Sequence, residues 1–317
     1  MKILVTPSSF KPGTAGPAME RLRSFADELI FNPYARPLTE DELIPLLDGC
    51  AGCVAGLDSF TQKAIESAGT LRVISRYGTG VDNVDIAAAG KKSIVVCRTP
   101  GVNSQAVADL AFGLMIGLAR QIPMLDRKTR DGQWIRSIGV ELHQKTIGIL
   151  GLGFVGRAVA QRASGFSMRI LACDPAMDLE YAKANNIVPV SFDDLIREAD
   201  FISLHLPLYA GTRHIISAEA MDRMKKGAFI INTARGGLLD EAAACERLKD
   251  GRLGGLGLDV YEDEPPQNTP LFNLPNVVLT PHTAAHTAES AAAMAALSVE
   301  NLINALEGKL TTCNAVT

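Results

Sequence analysis

No stretch of these 317 residues approaches the ~18 uninterrupted apolar positions that a membrane helix needs; even residues 107–119 form a short run that carries Asp109. A membrane-spanning chain is therefore not expected. A basic surplus is also missing. The 31 Lys and Arg stand against 35 Asp and Glu, a net charge of −4, which is too little positive charge to neutralise a phosphate backbone. Nucleic acid is not an expected partner. The N-terminus, Met1-Lys2-Ile3-Leu4-Val5-Thr6-Pro7, has a single charge and a brief apolar run, where a secretory signal carries an apolar core of ~7–15 residues. The expected location is cytoplasmic.

Cysteine is sparse as well. Cys50, Cys53, Cys97, Cys173, Cys245 and Cys313 are scattered along the chain, and without a secretory signal they read as reduced thiols rather than a bridge framework. Cys50-Ala51-Gly52-Cys53 is a CxxC, but no second pair or nearby His completes a zinc set, so it reads as two small packing residues and no metal is expected.

What remains is ordinary globular composition, 47% hydrophobic and 21% charged, in a chain long enough for about two domains of roughly 100–200 residues each. Residues 2–6, 71–75 and 93–97 read as strands and 61–68 as a helix, the alternation of a parallel βαβ sheet. Pro100 and Gly101 punctuate the chain, and 104–120 reads as a long apolar-faced helix at a hinge between domains. From Lys145 the rhythm restarts. Short apolar runs at 145–150, 169–174, 201–205, 228–232, 255–259 and 277–280 are mostly spaced by helix-length segments, as in a doubly wound parallel domain. Residues 288–307 read as a final helix.

Gly151-Leu152-Gly153-Phe154-Val155-Gly156 is a GxGxxG directly after an expected strand and opening an expected helix at 155–163. The first glycine allows the tight turn, the second a close approach of backbone to a pyrophosphate, and the third close helix–strand packing, while the helix N-terminus offers N–H donors. Asp174, eighteen residues after Gly156, ends the next strand. A carboxylate there accepts ribose hydroxyls and repels a 2′-phosphate, which predicts NAD over NADP. Arg157 reads either as a pyrophosphate contact or as a solvated surface arginine.

A second set lies at the ends of the later strands, where open α/β sheets bind ligands. Arg235 follows Asn232-Thr233-Ala234, Glu264 follows Leu258-Asp259-Val260-Tyr261-Glu262-Asp263, and His282 follows Thr280-Pro281. An arginine clamps a carboxylate and polarises the adjacent carbonyl, an imidazole exchanges the hydroxyl proton as hydride moves, and a carboxylate beside it favours the protonated ring. That combination suits interconversion of a 2-hydroxy acid and a 2-oxo acid. Each residue taken singly also fits a plainer role: Arg235 in a surface ion pair, Glu264 as a loop-entry carboxylate, His282 as a satisfied histidine in a turn. Among the other histidines, His143 and His214 read as surface residues, His205 as ordering backbone at a strand end, and His286 as a residue at a cleft mouth.

The runs Ser75 to Asp85, Thr99 to Asn103, Gly151 to Gly156, Asn232 to Gly237, Leu258 to Pro266 and Thr280 to His282 together resemble the D-isomer-specific 2-hydroxyacid dehydrogenases, and most closely their phosphoglycerate dehydrogenase branch. The resemblance covers essentially the whole chain. It implies an α/β protein of two Rossmann-like, doubly wound domains. An NAD-binding domain, 100–285, is inserted into a discontinuous substrate domain, 1–99 and 286–317, with a cleft that closes on substrate. It also implies Arg235 as substrate-binding arginine, Glu264 as carboxylate partner and His282 as acid/base, with Arg76, Gly78 and Thr79 toward the substrate. Dinucleotide contacts are implied at Thr79, Gly151, Gly153, Phe154, Val155, Gly156, Asp174, Leu206, Thr233, Ala234, Arg235, Asp259, His282 and Ala285, and a homodimer joined through the NAD domains.

Three departures from the family's pattern stand out. The branch carries a phosphate-binding arginine in a Val-Arg-Ser run where this chain has Ala55-Gly56-Leu57, and Arg76, Arg98 and Arg136 are the candidate replacement cations. Asp109 stands for a common glutamate. The chain ends soon after the last expected helix, so serine feedback through a C-terminal sensing domain is not expected. The leading expectation is NAD-dependent interconversion of 3-phosphoglycerate and phosphohydroxypyruvate. The alternatives are reduction of hydroxypyruvate, glyoxylate or phosphonopyruvate and, from another class, an NAD(H)-sensing binding protein like the co-repressors built on this fold.

Overall fold

The computed structural model describes residues 1–13 and 16–316. The chain divides into two compact units, Met1–Asn103 with His286–Thr317, and Ser104–Ala285. In the first, β1 (Lys2–Val5), β2 (Glu28–Phe31), β3 (Cys50–Ala55), β4 (Val73–Arg76) and β5 (Val95–Cys97) form a sheet in the order β2-β1-β3-β4-β5. Its five strands pair in parallel throughout, and the order is that of a flavodoxin-like doubly wound sheet.

The CxxC of the sequence is part of β3, whose first four residues include no β-branched side chain. Its smallness has a cause: a Cβ on Gly52 would stand 2.8 Å from Leu302 Cδ1, because the helix Ala288–Leu306 lies against this strand. Ser75 Oγ donates to Ser298 O of the same helix at 2.7 Å. The C-terminal helix thus completes the N-terminal sheet. Cys53 is fully buried and burial pushes its thiol well above the usual range, so it packs rather than reacts.

The second unit contains β6 (Thr146–Leu150), β7 (Arg169–Cys173), β8 (Ile187–Pro189), β9 (Phe201–Leu204), β10 (Ala228–Asn232), β11 (Leu253–Leu258) and β12 (Val277–Leu279). Their order is β12-β11-β10-β9-β6-β7-β8, all parallel. Reading from β8 to β11 reproduces the doubly wound dinucleotide-binding order, with the reversal between β6 and β9. The short edge strand β8 is a seventh strand beyond the six expected, and Pro189 at its end is tolerated because an edge leaves one side of the ladder unpaired. The central strands are apolar on both faces, with Ile149, Phe201 and Ile231 on one and Ile202, Leu204 and Ile230 on the other all at 0% exposure, and Phe201 stacks on Phe229 with ring centroids 4.9 Å apart. Among the described residues, no single helix is long and apolar enough to cross a membrane.

His205, just past β9, pins the strand ends. Its N–H donates to Leu150 O at 2.7 Å, and its ring Nε2 lies 2.8 Å from Ser203 Oγ. Burial pushes its pKa down from 6.5 to about 3. Folding therefore favours the neutral ring, and this stabilisation is present above pH 6.5 and lost as pH falls toward 3. The slope reaches at most about 1.4 kcal/mol per pH unit. Denaturant unfolding at several pH values should show His205→Gln losing less stability than the parent between pH 6.5 and pH 3; parallel curves would remove His205 from the acid limb.

Candidate active site

The glycine loop leaves β6 and enters the helix Phe154–Gly165. Gly151 has φ +92, and a Cβ there would meet His205 O at 2.6 Å; at Gly156 it would meet Gly151 O at 2.0 Å. These two glycines are required by turn and packing. Gly153 is different. It is the N-cap without a side-chain cap, and no atom lies within 4 Å of its missing Cβ. Uncapped N–H groups with open space above them are what an anionic pyrophosphate needs, so the residues present fit a dinucleotide.

Asp174, one residue past β7, accepts from Leu152 N (2.7 Å) and from Ala176 N (2.8 Å). The backbone of the glycine loop itself thereby aims the carboxylate. Arg157 stacks on the Tyr181 ring at 4.0 Å and bonds Asp178 Oδ2 and Leu152 O, both at 3.2 Å. Phe154 is exposed, Val155 half-buried, and Leu206 closes within 3.2 Å of the Gly151 Cβ position.

The carboxyl ends of β10, β11 and β12 carry the three chemical residues. Asn232, buried at the end of β10, donates through Nδ2 to Arg235 O (2.8 Å) and accepts through Oδ1 from Ala234 N (3.1 Å). It ties down the turn that presents Arg235, whose own NH1 donates to Ala234 O at 2.6 Å. Thr233 beside it keeps a buried hydroxyl without a hydrogen-bond partner. His214 is not the surface residue expected: its N–H donates to Gly237 O at 2.8 Å and its Nε2 lies 2.8 Å from Glu262 Oε1, joining the Arg235 turn to the loop after β11.

His282 Nδ1 meets Glu264 Oε2 at 2.7 Å, with side chains 29% and 34% exposed. The pair is therefore formed and open to solvent. His282 has φ +49, a left-handed conformation that costs a non-glycine residue roughly 1–2 kcal/mol. It is held there by its N–H to Asp259 O at 2.8 Å. Asp259, at 0% exposure, accepts from Thr280 Oγ1 (2.6 Å), Thr283 N (2.8 Å) and Ala284 N (2.9 Å). Expected as a dinucleotide contact, it also cages the segment that carries His282 and leads to half-buried Ala285.

In the other unit, Arg76 is 3% exposed; its Nε donates to Gly80 O at 3.0 Å and its NH1 to Ala55 O at 2.7 Å and to Gly56 O. The guanidinium expected to face substrate thus braces backbone. Gly78 has φ +154 with Arg76 NH2 3.5 Å from its Cβ position, and Thr79 Oγ1 donates to Thr99 O at 3.1 Å. Arg98 and Arg136 are exposed. A Cβ on Gly56 would lie 3.1 Å from Pro7 Cα and 3.3 Å from Asp58 Oδ2. Sequence reasoning gave Asn232 and Tyr261 no role. Asn232 had a legible signal, an amide closing an otherwise apolar strand.

A family model described as the NAD-binding domain of D-isomer specific 2-hydroxyacid dehydrogenases matches residues 112–284. The chain is 42% identical over 280 residues to a D-3-phosphoglycerate dehydrogenase of Methanocaldococcus jannaschii, covering 87% of this chain and 53% of that protein. It is 39% identical over 282 residues to a glyoxylate reductase of Korarchaeum cryptofilum, covering 86% and 85%. It thus spans about half the length of the first relative and most of the second. A crystal structure of a glyoxylate reductase from Paecilomyes thermophila superposes with a TM-score of 0.88 at 32% identity, covering 99% of this chain and 98% of that one.

Proposed function

The chain belongs to the D-isomer specific 2-hydroxyacid dehydrogenases, and on that premise we propose that it reduces a short, unphosphorylated 2-oxo acid to the D-2-hydroxy acid with NADH. The observation that carries the reading is the Glu264–His282 pair at 2.7 Å, carried with Arg235 on the ends of successive strands of the dinucleotide-binding unit. Gly151, Gly153, Gly156 and Asp174 would hold a nicotinamide dinucleotide, which would supply the hydride. The planar fork of Arg235 clamps the substrate carboxylate and polarises its neighbouring carbonyl. With Nδ1 of His282 engaged by Glu264, Nε2 is left to hand a proton to the carbonyl oxygen. The Asp174 carboxylate repels a 2′-phosphate, which selects NADH over NADPH.

The unphosphorylated tail is supported by what residues 55–58 lack. Where the phosphoglycerate branch carries its arginine, Gly56 fits tightly against Pro7 and the buried Asp58 carboxylate, Leu57 is 44% exposed, and Arg76 is engaged by carbonyls. A phosphate dianion would thus lack the cation that the phosphoglycerate branch supplies at this position, which supports a hydrogen or hydroxymethyl tail. Phosphohydroxypyruvate is the second reading, favoured by the 42% identity to a phosphoglycerate dehydrogenase. NADH oxidation against glyoxylate, hydroxypyruvate, pyruvate, phosphonopyruvate and phosphohydroxypyruvate, with NADPH as control, separates the two. The expected result is kcat/KM at least about tenfold higher for glyoxylate or hydroxypyruvate, equivalent to about 1.4 kcal/mol of transition-state binding. Preference for phosphohydroxypyruvate would establish the second reading, and no turnover on any of the five would contradict both.

We also propose that the protein is a cytoplasmic homodimer joined through the dinucleotide-binding unit. Trp134 at 84% exposure and Ile138 at 96%, with Ile122 and Ile135 near half, make an apolar arm that a second copy of the chain would cover. Light scattering should give the mass of two chains for the parent and of one for Ile138→Asp; a monomeric parent, or a variant that stays dimeric, would contradict the assignment.

A further inference from the structure

Tyr261 stands three residues before Glu264 and contacts all three strand-end loops. Its N–H donates to Glu264 Oε1 at 3.1 Å, the carboxylate whose other oxygen meets His282. Its hydroxyl donates to Thr280 O at 2.8 Å, two residues before His282. Its own carbonyl carbon would lie 1.8 Å from a Cβ on Gly236, the residue after Arg235, so only glycine lets the Arg235 turn close against it. The side chain is 7% exposed and belongs to the apolar cluster of Leu238, Leu258 and Leu271. Burial and the charges of Asp259, Glu241 and Glu264 push its pKa up to about 12, so the hydroxyl stays a donor under any assay condition near neutrality.

We propose that Tyr261 is a positioning residue for the acid/base pair: its hydroxyl, by holding the Thr280 carbonyl, sets the distance between His282 and Glu264. The need for such a device is visible in His282, whose left-handed backbone (φ +49) persists only where surrounding bonds over-determine it. Asp259 fixes the segment from one side through Thr280 Oγ1, Thr283 N and Ala284 N. Tyr261 fixes it from the other while its N–H orients Glu264, so one residue spaces the two partners. This rests on the reading of His282 as acid/base.

Tyr261→Phe keeps the ring and removes one hydrogen bond. The expected result is a five- to tenfold fall in kcat, the effect of one lost hydrogen bond, with the KM for 2-oxo acid and the Kd for NADH changed less than about twofold and melting within a few degrees of the parent. A readout independent of turnover is the downfield proton signal of the His282 ring, bonded through Nδ1 to a carboxylate and assigned by its absence in His282→Gln. It should shift upfield or broaden in Tyr261→Phe. Full kcat with an unmoved signal would overturn the proposal and leave Tyr261 as packing. Parallel losses of NADH affinity and melting temperature would overturn it as a fold defect. A parent protein inactive on every 2-oxo acid would instead sink the catalytic reading, and the ring signal would still decide the role of Tyr261.

Discussion

A single buried carboxylate organises the segment that carries the candidate acid/base residue. Asp259, at 0% exposure, is surrounded by the donors of Thr280, Thr283 and Ala284. A charge in such a place is tolerable only while its oxygens are hydrogen-bonded. That requirement works in both directions. The segment 280–284 must wrap the carboxylate, and in wrapping it puts His282 into a left-handed turn with its ring against Glu264. The geometry of the proposed acid/base pair is a by-product of satisfying a buried carboxylate.

The same logic of strand ends links this cage to the glycine loop. In the order β12-β11-β10-β9-β6-β7-β8 every strand points the same way, so the turns after β6, β7, β10, β11 and β12 all lie at one edge of one sheet. The loop at Gly151 to Gly156 and the residues Arg235, Glu264 and His282 are thereby carried on a single rigid scaffold within residues 104–285. His205 serves the first group and Asn232 the second, each by bonding backbone where a strand stops. Both are polar residues whose energetic value comes from having partners in a buried place.

Much of this was legible beforehand. The strands β6, β7, β9 and β10 are apolar runs bounded by turn residues, and the glycines sit where strand meets helix, so period and punctuation sufficed. Other elements were not. β3 has the composition of a loop, since Cys50-Ala51-Gly52-Cys53 is small in order to admit the helix Ala288–Leu306, a partner more than two hundred residues away. β2 and β8 are short edges with little burial to impose a pattern. In the site, residue types announced Arg235, Glu264 and His282, whereas the engagement of Arg157 by Tyr181 and Asp178, of His214 by Glu262 and of Arg76 by the carbonyls of residues 55, 56 and 80 depends on tertiary neighbours. An arginine in a sequence declares a charge, and only the fold decides whether that charge faces a ligand or a backbone.

The central claim is that His282 moves a proton in a reaction whose cofactor is held elsewhere on the same sheet. The most direct measurement pairs turnover with NADH affinity, by fluorescence titration, in His282→Ala. The account predicts a fall in kcat of roughly 10²–10⁴-fold, the usual contribution of a positioned acid/base group, with NADH affinity within about twofold of the parent. Retained turnover would remove His282 from the chemistry, and loss of NADH affinity in step with kcat would show that the two sites are not separable as described.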